Sequence, residues 1–236
     1  MANSVLILLN MYSNVIETVN NVLGGAMNYV IVVAHQKGGV GKSTIASNLA
    51  VDLAKIYDVD VLDLDMQKSL SYFNTLRNDS AKLNIKYAKS FKEVAAIINN
   101  NQKLLIIDVG GFDSDLNRAA ILGADMVITP VSDSTIELVG LLAFKNIIVD
   151  IRKERPELQA HVLLNRLHFN LSTSLTDIRD FISHNPEFKL LDSIIRDRSE
   201  FKKSFERGLS VNEYSKDSKA AIEIKMLIEE ILKWQK

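Results

Sequence analysis

The sequence predicts a doubly wound α/β domain, with helices on both faces of a mostly parallel sheet. From residue 29 onward, short apolar runs alternate with longer helical segments, which is the pattern of repeated strand–helix units. The length of 236 residues suits one well-buried domain, and 47% hydrophobic with 24% charged residues is ordinary for a globular chain. A glycine-rich turn joins the first apolar run to the first helical segment.

Strands are predicted where apolar residues form short continuous runs. These runs are Tyr29–Ala34, Val59–Leu64, Leu104–Val109, Met126–Val131, His161–Leu164 and, more weakly, Lys189–Ile194. Helices are predicted where apolar residues recur every three or four positions. These segments are Ser43–Tyr57, Phe91–Asn99, Leu116–Leu122, Ile136–Lys153, Leu175–Ser183, Glu200–Arg207 and Lys219–Trp234. The stretch Arg77–Lys89 has the weakest pattern for regular structure.

The chain divides into an accessory N-terminal segment, residues 1–27, and a single domain, residues 28–236. The segment contains one charged side chain, Glu17, and an apolar run too short to span a membrane. One interpretation is an amphipathic helix, because apolar residues recur at helical spacing from position 8 to 22. Another is that Gly24-Gly25-Ala26 is a ribosome-binding site translated in frame, which would make Met27 the true start.

The overall composition excludes several function classes. A formal net charge of −1 gives no general attraction to nucleic acid or anionic membranes, so such affinity must come from a local patch or from assembly. The chain contains no cysteine, which fits a reducing cytoplasm and rules out a thiolate-bound iron–sulfur cluster.

The most specific motif is QKGGVGKST, residues 36–44, which lies between the first strand and the first helix. Its glycines let backbone N–H groups surround a polyphosphate, and the start of the helix adds free N–H groups and a favourable dipole. Lys42 is predicted to reach the terminal phosphates, and the Ser43 hydroxyl to hold Mg²⁺. The predicted nucleotide-binding residues in this loop are Gly38, Gly39, Val40, Gly41, Lys42, Ser43 and Thr44.

The loop departs from the common pattern G-x-x-x-x-G-K-[ST] at its start. Gln36 occupies the position of the first glycine, and a second lysine, Lys37, follows it. That ammonium group is badly placed for the phosphates of its own loop, but it can reach those of a facing subunit. The motif resembles the deviant Walker A loop of the ParA/MinD group of ATPases, and Gln36 resembles the ParA-type partition proteins in particular.

Two further acidic motifs follow at predicted strand ends, the edge where open α/β sheets bind ligands. Asp63 and Asp65 resemble the D-x-D-P-Q switch I pattern of the family, with Met66 in place of the usual proline. A carboxylate at this edge can hold a metal-bound water or orient an attacking water toward the γ-phosphate, and Asp65 is at the position that the family uses to support hydrolysis. Asp108 ends an apolar run in the Walker B form and is predicted to bind Mg²⁺ through water, and Val109-Gly110-Gly111 resembles switch II.

Later motifs extend the resemblance from about residue 29 to residue 236. Asn165 follows a predicted strand, and its amide suits the adenine edge; the family uses an asparagine here for base recognition. The stretch from Ile194 to Tyr214 resembles the ParA segment that closes over the nucleotide. An alternative reading of Asn165 is a turn residue that ends a strand.

The resemblance implies a short ParA-type ATPase without an N-terminal helix-turn-helix domain, a P-loop ATPase that uses ATP and Mg²⁺. It implies a homodimer on ATP binding, nonspecific double-stranded DNA binding, and slow hydrolysis stimulated by a centromere-binding ParB-like partner. The expected location is cytoplasmic, nucleoid-associated in the ATP state, with no membrane binding. The implied catalytic residues are Lys37, Lys42 and Asp65, and the implied metal-site residues are Ser43, Asp65 and Asp108.

Two alternatives stay open at this point. One is a MinD-like membrane or positioning ATPase, and the other is a nucleotide-gated scaffold or regulator that does not hydrolyse ATP. On Glu200–Arg207, Phe201 and Phe205 define an inward face, while Lys203 and Arg207 share another face that suits DNA phosphates or plain solvation. The stripe from Ala221 to Ile231 in the last helix favours core packing over membrane contact.

Overall fold

The sheet has seven parallel strands in the computed structural model, which describes residues 27–132, 136–168 and 173–234. The strands are β1 Tyr29–Val33, β2 Val59–Asp63, β3 Asn84–Lys86, β4 Leu104–Asp108, β5 Met126–Val131, β6 Ala160–Leu167 and β7 Phe188–Arg196. Their order is β3-β2-β4-β1-β5-β6-β7, and every pairing between them is parallel. The predicted fold class is confirmed. Residues 1–26, most of the predicted accessory segment, lie outside the described residues.

Helices connect the strands and cover both faces. They are α1 Lys42–Leu53, α2 Ser69–Thr75, α3 Phe91–Asn99, α4 Asp115–Leu122, α5 Ile136–Ile151, α6 Thr173–Ser183, α7 Ser199–Phe205, α8 Val211–Tyr214 and α9 Lys219–Lys233, with a 3-10 turn at Asp79–Ala81. The predicted helices are found with bounds shifted by a few residues. The short helices α2 and α8 were not predicted, because α8 has only four residues and α2 buries only Leu70 and Phe73.

The core is divided by the sheet because successive side chains of a strand point to opposite faces. On β1, Val30 and Val32 pack with apolar residues of α3, α4, α5 and α6. Ile31 and Val33 pack on the other face with residues of α1, α2, α7, α8 and α9. The central strands are buried on both sides, which is why they read as continuous apolar runs in the sequence.

One strand was missed by the sequence analysis. β3 pairs with β2 at the edge of the sheet, within the stretch Arg77–Lys89 that has the weakest pattern. Its three residues are exposed or half-buried, so it carries no apolar run that could have predicted it.

The strand order places a ligand crevice at the carboxyl end of β1. From β1 the chain continues to β2, on one side of β1 in the sheet, and from β4 it later continues to β5, on the other side of β1. The connections therefore run in opposite directions from the centre of the sheet. The ends of β2, β4 and β6, which carry Asp63, Asp108 and Asn165, lie along this same edge.

The last helix packs into the core, as its stripe predicts. Its apolar positions are fully or almost fully buried; they are Ala221, Ile224, Leu227, Ile228 and Ile231. Two acids of α9 bind the edge strand β7: Glu230 accepts from the backbone N–H groups of Asp192 and Ser193, at 2.7 and 2.8 Å. Glu223 accepts from the N–H of Arg196 and pairs with Arg198.

A buried arginine ties the end of α2 to the C-terminal third of the chain. The Arg77 guanidinium donates to both carboxylate oxygens of Glu213, at 2.9 and 3.0 Å, and to the carbonyls of Gly208 and Ala81. Glu213 also closes the capping box at the start of α8 with Ser210. Ser210 in turn donates to Asp52 of α1, so three parts of the chain share one polar network.

Replacing Arg77 by alanine is expected to reduce the free energy of unfolding by about 3 kcal/mol, because the Glu213 carboxylate and two carbonyls lose their partner. Guanidinium unfolding followed by circular dichroism measures the change. Lys82→Ala is the control, since its pair with Asp79 is exposed and should leave the unfolding midpoint unchanged. Equal losses in the two variants would contradict the structural role of Arg77.

Candidate nucleotide-binding site

The glycine-rich loop forms the wall of a cavity of about 1050 Å³ at the predicted edge of the sheet. Gly39 and Gly41 adopt left-handed backbone angles, with φ of 79° and 95°, which explains why glycines are needed at these two positions. Gly41 is the N-cap of α1, so the free N–H groups at the start of that helix face the loop's end. The structure therefore has the strand–turn–helix context that phosphate binding requires.

Most of the predicted site residues meet in this cavity. Those that line it are Gly38, Gly39, Gly41, Lys42, Ser43, Thr44, Asp65 and Asn165. Val40 and Asp108 are buried beside it. Lys37 is not among the described residues that line the cavity, although it directly precedes Gly38. Arg196 to Ser199, in the stretch that resembles the closing segment, also line the cavity.

Lys42 lies beneath the loop and is almost completely buried. Its ammonium nitrogen donates to the carbonyl of Lys37 at 2.8 Å, so it spans the loop from end to start. Burial lowers the pKa of Lys42, while the nearby carboxylates of Asp108 and Asp65 oppose the change. A cation in this position adds charge-assisted hydrogen bonding to any anion that the loop encloses.

The two acids at the end of β2, Asp63 and Asp65, differ in position: Asp63 is buried, and Asp65 lines the cavity. The Asp63 carboxylate is fully buried and accepts from the backbone N–H of Asp65 at 3.1 Å. It also accepts from the N–H of Ser71 at 3.0 Å and from the Ser71 hydroxyl, which fixes the start of α2. Asp65 lines the cavity and accepts from the N–H of Gln67 at 2.9 Å. The sequence pattern pointed to both acids, but only the structure separates their positions.

Asp108 is fully buried; its carboxylate oxygens make no well-formed hydrogen bond among the described residues, and the Ser43 hydroxyl is a donor that lies beside them. Burial raises the pKa of Asp108 to about 7, and the charges of Asp63 and Asp65 add to the rise, while the Ser43 hydroxyl and Lys42 oppose it. A buried carboxylate without a partner is costly unless something cationic completes it. The donor set of Ser43, Asp65 and Asp108 therefore fits a hard, oxygen-preferring cation such as Mg²⁺.

No cluster of three or more acidic, histidine or cysteine ligands occurs within the part of the chain that the structure describes.

The segment after β4 contacts the start of the phosphate loop. A Cβ atom on Gly111 would lie 2.7 Å from the Gly38 nitrogen and 2.9 Å from the Lys37 carbonyl carbon, so only glycine allows this close approach. Asn117 of α4 holds the same segment by donating to the carbonyls of Gly110 and Phe112, at 3.3 and 2.6 Å. Sequence reasoning missed Asn117, since nothing in its local pattern distinguishes it from a surface residue.

The end of β6 also contacts the phosphate loop. Asn165 is buried, and its amide nitrogen donates to the Val40 carbonyl at 2.7 Å. Arg166 donates to the Gly39 carbonyl at 2.9 Å and lines the same cavity. Asn165, the predicted base-recognition residue, therefore lies at the site. Its amide NH₂ group is bound to the loop, and its amide oxygen is the atom that could accept a hydrogen bond from a base. Arg166 was not predicted, and its position directly after Asn165 was the only signal.

His35 packs behind the loop and is buried against α5. Its Nδ1 accepts from the Lys37 N–H at 3.0 Å, and its ring lies 6.2 Å from the ring of Phe144. Burial lowers the pKa of His35 to about 3, and the charges of Lys42 and Lys37 act in the same direction. The ring is therefore neutral at pH 7, with the proton on Nε2.

The fold and the loop together define a nucleotide-binding α/β domain. The family model for the CobQ/CobB/MinD/ParA nucleotide binding domain matches residues 31–211. The chain belongs to this family, and nucleotide binding is the property that the family name states.

One relative matches most of the chain. Maintenance of carboxysome distribution protein A from Halothiobacillus neapolitanus is 22% identical over 210 residues, which cover 86% of this chain and 96% of the relative.

Solved structures share the fold at low identity. An ATP complex of Cyanothece McdA is 18% identical, with a TM-score of 0.68, and the match covers 89% of this chain and 96% of the other. MinD from Pyrococcus furiosus is 18% identical, with a TM-score of 0.69 and coverage of 88% and 99%. A plasmid partition protein from Borrelia burgdorferi is 19% identical, with a TM-score of 0.61 and coverage of 87% and 98%.

Within residues 27–132, 136–168 and 173–234, none of the helices is long and apolar enough to cross a bilayer.

The neutral state of His35 predicts a pH-dependent stability. Its pKa in the folded protein lies below the value of about 6.5 for an unfolded chain, so the unfolded state binds more protons as the pH falls below 6.5. The free energy of unfolding should therefore fall by about 1 kcal/mol more in the wild type than in His35→Asn between pH 7.5 and 5.5.

Asparagine keeps an acceptor for the Lys37 N–H but does not titrate. Denaturant unfolding of both proteins at the two pH values measures the difference. Parallel pH dependence in the two proteins would contradict a neutral, buried His35.

Proposed function

We propose that this protein is a Mg²⁺-dependent ATPase of the ParA type, whose ATP-bound dimer binds DNA nonspecifically and releases it after hydrolysis. The observation that carries the proposal is the contrast between the two lysines of the phosphate loop. Lys42 lines the cavity and spans the loop, whereas Lys37 is not among the described residues that line it.

Each residue of the site has a role in this proposal. Lys42 and the loop N–H groups bind the phosphates, and Ser43 with Asp108 would hold Mg²⁺. Bound Mg²⁺ supplies positive charge that offsets the charge of the phosphates. Asp65 orients the attacking water from a position that the buried Asp63 fixes. The Asn165 amide oxygen is the acceptor that the adenine amino group requires.

Lys37 is proposed to act on the nucleotide of a second copy of the chain. A lysine supplied by a facing subunit offsets the charge that develops on the transferred phosphoryl group, so that dimer formation and hydrolysis are coupled. The backbone of Lys37 also contacts Gly111, so a movement of the segment after β4 would shift Lys37. Hydrolysis is expected to be slow until a ParB-like partner stimulates it.

The DNA-binding surface is proposed to lie on α7 and the residues after it. Phe201 and Phe205 face inward, and the Phe205 ring lies 5.0 Å from that of Phe73. Lys203 is exposed on α7, and Arg207 is exposed in the turn that follows the helix. Arg198 contributes less to this surface because it is committed to a half-buried ion pair with Glu223. Dimer symmetry would double the patch, which suits contact with phosphates without base recognition.

A MinD-like positioning ATPase is the second candidate, since MinD shares the fold and the family. Membrane attachment is the property that separates the two. The apolar stripe of α9 is buried in the core, which favours the DNA-binding candidate. Pelleting with liposomes of anionic lipid, with ATP or with ADP, tests the difference: ATP-dependent pelleting would favour the MinD-like role. In the cell, the proposed location is the cytoplasm, with nucleoid association in the ATP state.

Gly38→Val is expected to abolish dimer formation while leaving nucleotide binding by the monomer within a few fold. A Cβ on Gly38 meets no atom within 4 Å in the single chain, so the chain has room at this position and the expected clash is with a facing subunit. Light scattering with ATP·Mg²⁺ measures the mass, and titration with a fluorescent ADP measures binding. Wild-type dimers in this variant would argue against a face-to-face arrangement.

Charge reversal on α7 and the turn after it, Lys203→Glu with Arg207→Glu, should weaken binding to random duplex DNA by on the order of tenfold or more. Lys89→Glu with Lys92→Glu makes the same change in net charge on an exposed region around the start of α3 and serves as the control. Gel shifts with ATP·Mg²⁺ at two salt concentrations measure the effect. Equal losses in both double variants would mean that α7 is not the DNA-binding surface.

A further inference from the structure

The phosphate loop contains peptide groups that its own glycines leave free to rotate. Gly39 and Gly41 have left-handed backbone angles, and glycine accepts either sign of φ at similar cost. The peptide groups on either side of Val40 are each flanked by one of these glycines. Their orientation must therefore be fixed from outside the loop.

Two consecutive side chains at the end of β6 supply that constraint. The Asn165 amide donates to the Val40 carbonyl at 2.7 Å, and the Arg166 guanidinium donates to the Gly39 carbonyl at 2.9 Å. Asn165 is buried and lies against Gly41, whereas the Arg166 side chain is exposed at the cavity wall. Two adjacent carbonyls of the loop are thus held by two adjacent residues of one strand.

Holding the carbonyls also sets the direction of the N–H groups. In a trans peptide the C=O and N–H bonds point in opposite directions. The N–H groups of Val40 and Gly41 are therefore turned away from the end of β6. These are groups that a phosphate loop uses as donors, so a reversed peptide would present a carbonyl oxygen to the phosphate instead.

The backbone of Arg166 indicates that this contact has a use beyond local stability. Its φ is 57°, in the left-handed region that disfavours residues with a Cβ. The residue lies where the register of β6 against β7 shifts, between Leu164 and Leu167. Glycine would fit this backbone better, yet the chain has an arginine whose head group reaches the loop. Strained positions of this kind are concentrated at functional sites.

We propose that Arg166 is a positioning residue for phosphate binding, which holds the Gly39–Val40 peptide so that the loop N–H groups face the polyphosphate. The inference rests on the nucleotide-binding role of the loop and deepens it. Arg166 acts here through the loop backbone, and the base and the ribose take no part in its effect.

The test uses three variants and two probes. Arg166→Gly removes the guanidinium and relaxes the backbone, Arg166→Lys keeps a cationic donor of similar reach, and Arg179→Ala removes an arginine from α6, outside the cavity lining. The probes are a fluorescent ADP and inorganic tripolyphosphate, which carries no base or ribose. Binding of each probe is measured by calorimetry or fluorescence, and thermal unfolding of each variant is recorded without nucleotide.

Arg166→Gly is expected to weaken both probes by about tenfold, equivalent to about 1.4 kcal/mol, with an unfolding temperature equal to or above that of the wild type. Arg166→Lys should recover part of the affinity, and Arg179→Ala should match the wild type.

Three results would overturn the inference while the wild type still binds both probes. They are unchanged affinity in Arg166→Gly, a loss for ADP without a loss for tripolyphosphate, and a fall in unfolding temperature that accompanies the loss of affinity. Failure of the wild type to bind either probe would instead overturn the nucleotide-binding role itself.

Discussion

Side-chain donors hold the phosphate loop by its carbonyl oxygens, and the rest of the site depends on this constraint. Lys42 binds the Lys37 carbonyl, Arg166 that of Gly39, and Asn165 that of Val40. The glycines give the loop its tight path but leave its peptide groups free to turn. The donors come from α1 and from the end of β6, so the packing of the sheet determines the geometry of the loop.

The acids beneath the loop form the second half of the site, and burial controls their behaviour. Burial raises the pKa of Asp108, and the Ser43 hydroxyl and Lys42 oppose the rise. A bound cation would favour the charged carboxylate further. Asp63 is equally buried but fully engaged by Asp65 and Ser71, so it orients its neighbour and leaves the cavity to Asp65. Asp63 and Asp65, which look equivalent in the sequence, thus differ in burial and in hydrogen-bond partners.

The sequence predicted what depends on local pattern and missed what depends on distant contacts. The loop, the central strands and the acids at strand ends are signalled by consecutive residues, and the fold class follows from their order. β3 was missed because a three-residue edge strand carries no apolar run. Arg166 was missed because its partner lies 127 positions earlier in the chain. The role of Arg77 was missed because it depends on an ion pair with Glu213, which is distant in the sequence. Arg77 also begins the stretch with the weakest pattern for regular structure.

Mixing two variants tests most directly whether Lys37 serves the nucleotide of a facing subunit. Lys37→Ala lacks the lysine but keeps Asp65, and Asp65→Ala keeps the lysine but lacks the acid. Each alone should hydrolyse ATP poorly. An equal mixture should recover about a quarter of wild-type activity, because half of the dimers are mixed and each contains one complete site. A mixture no more active than its separate components would contradict action between subunits.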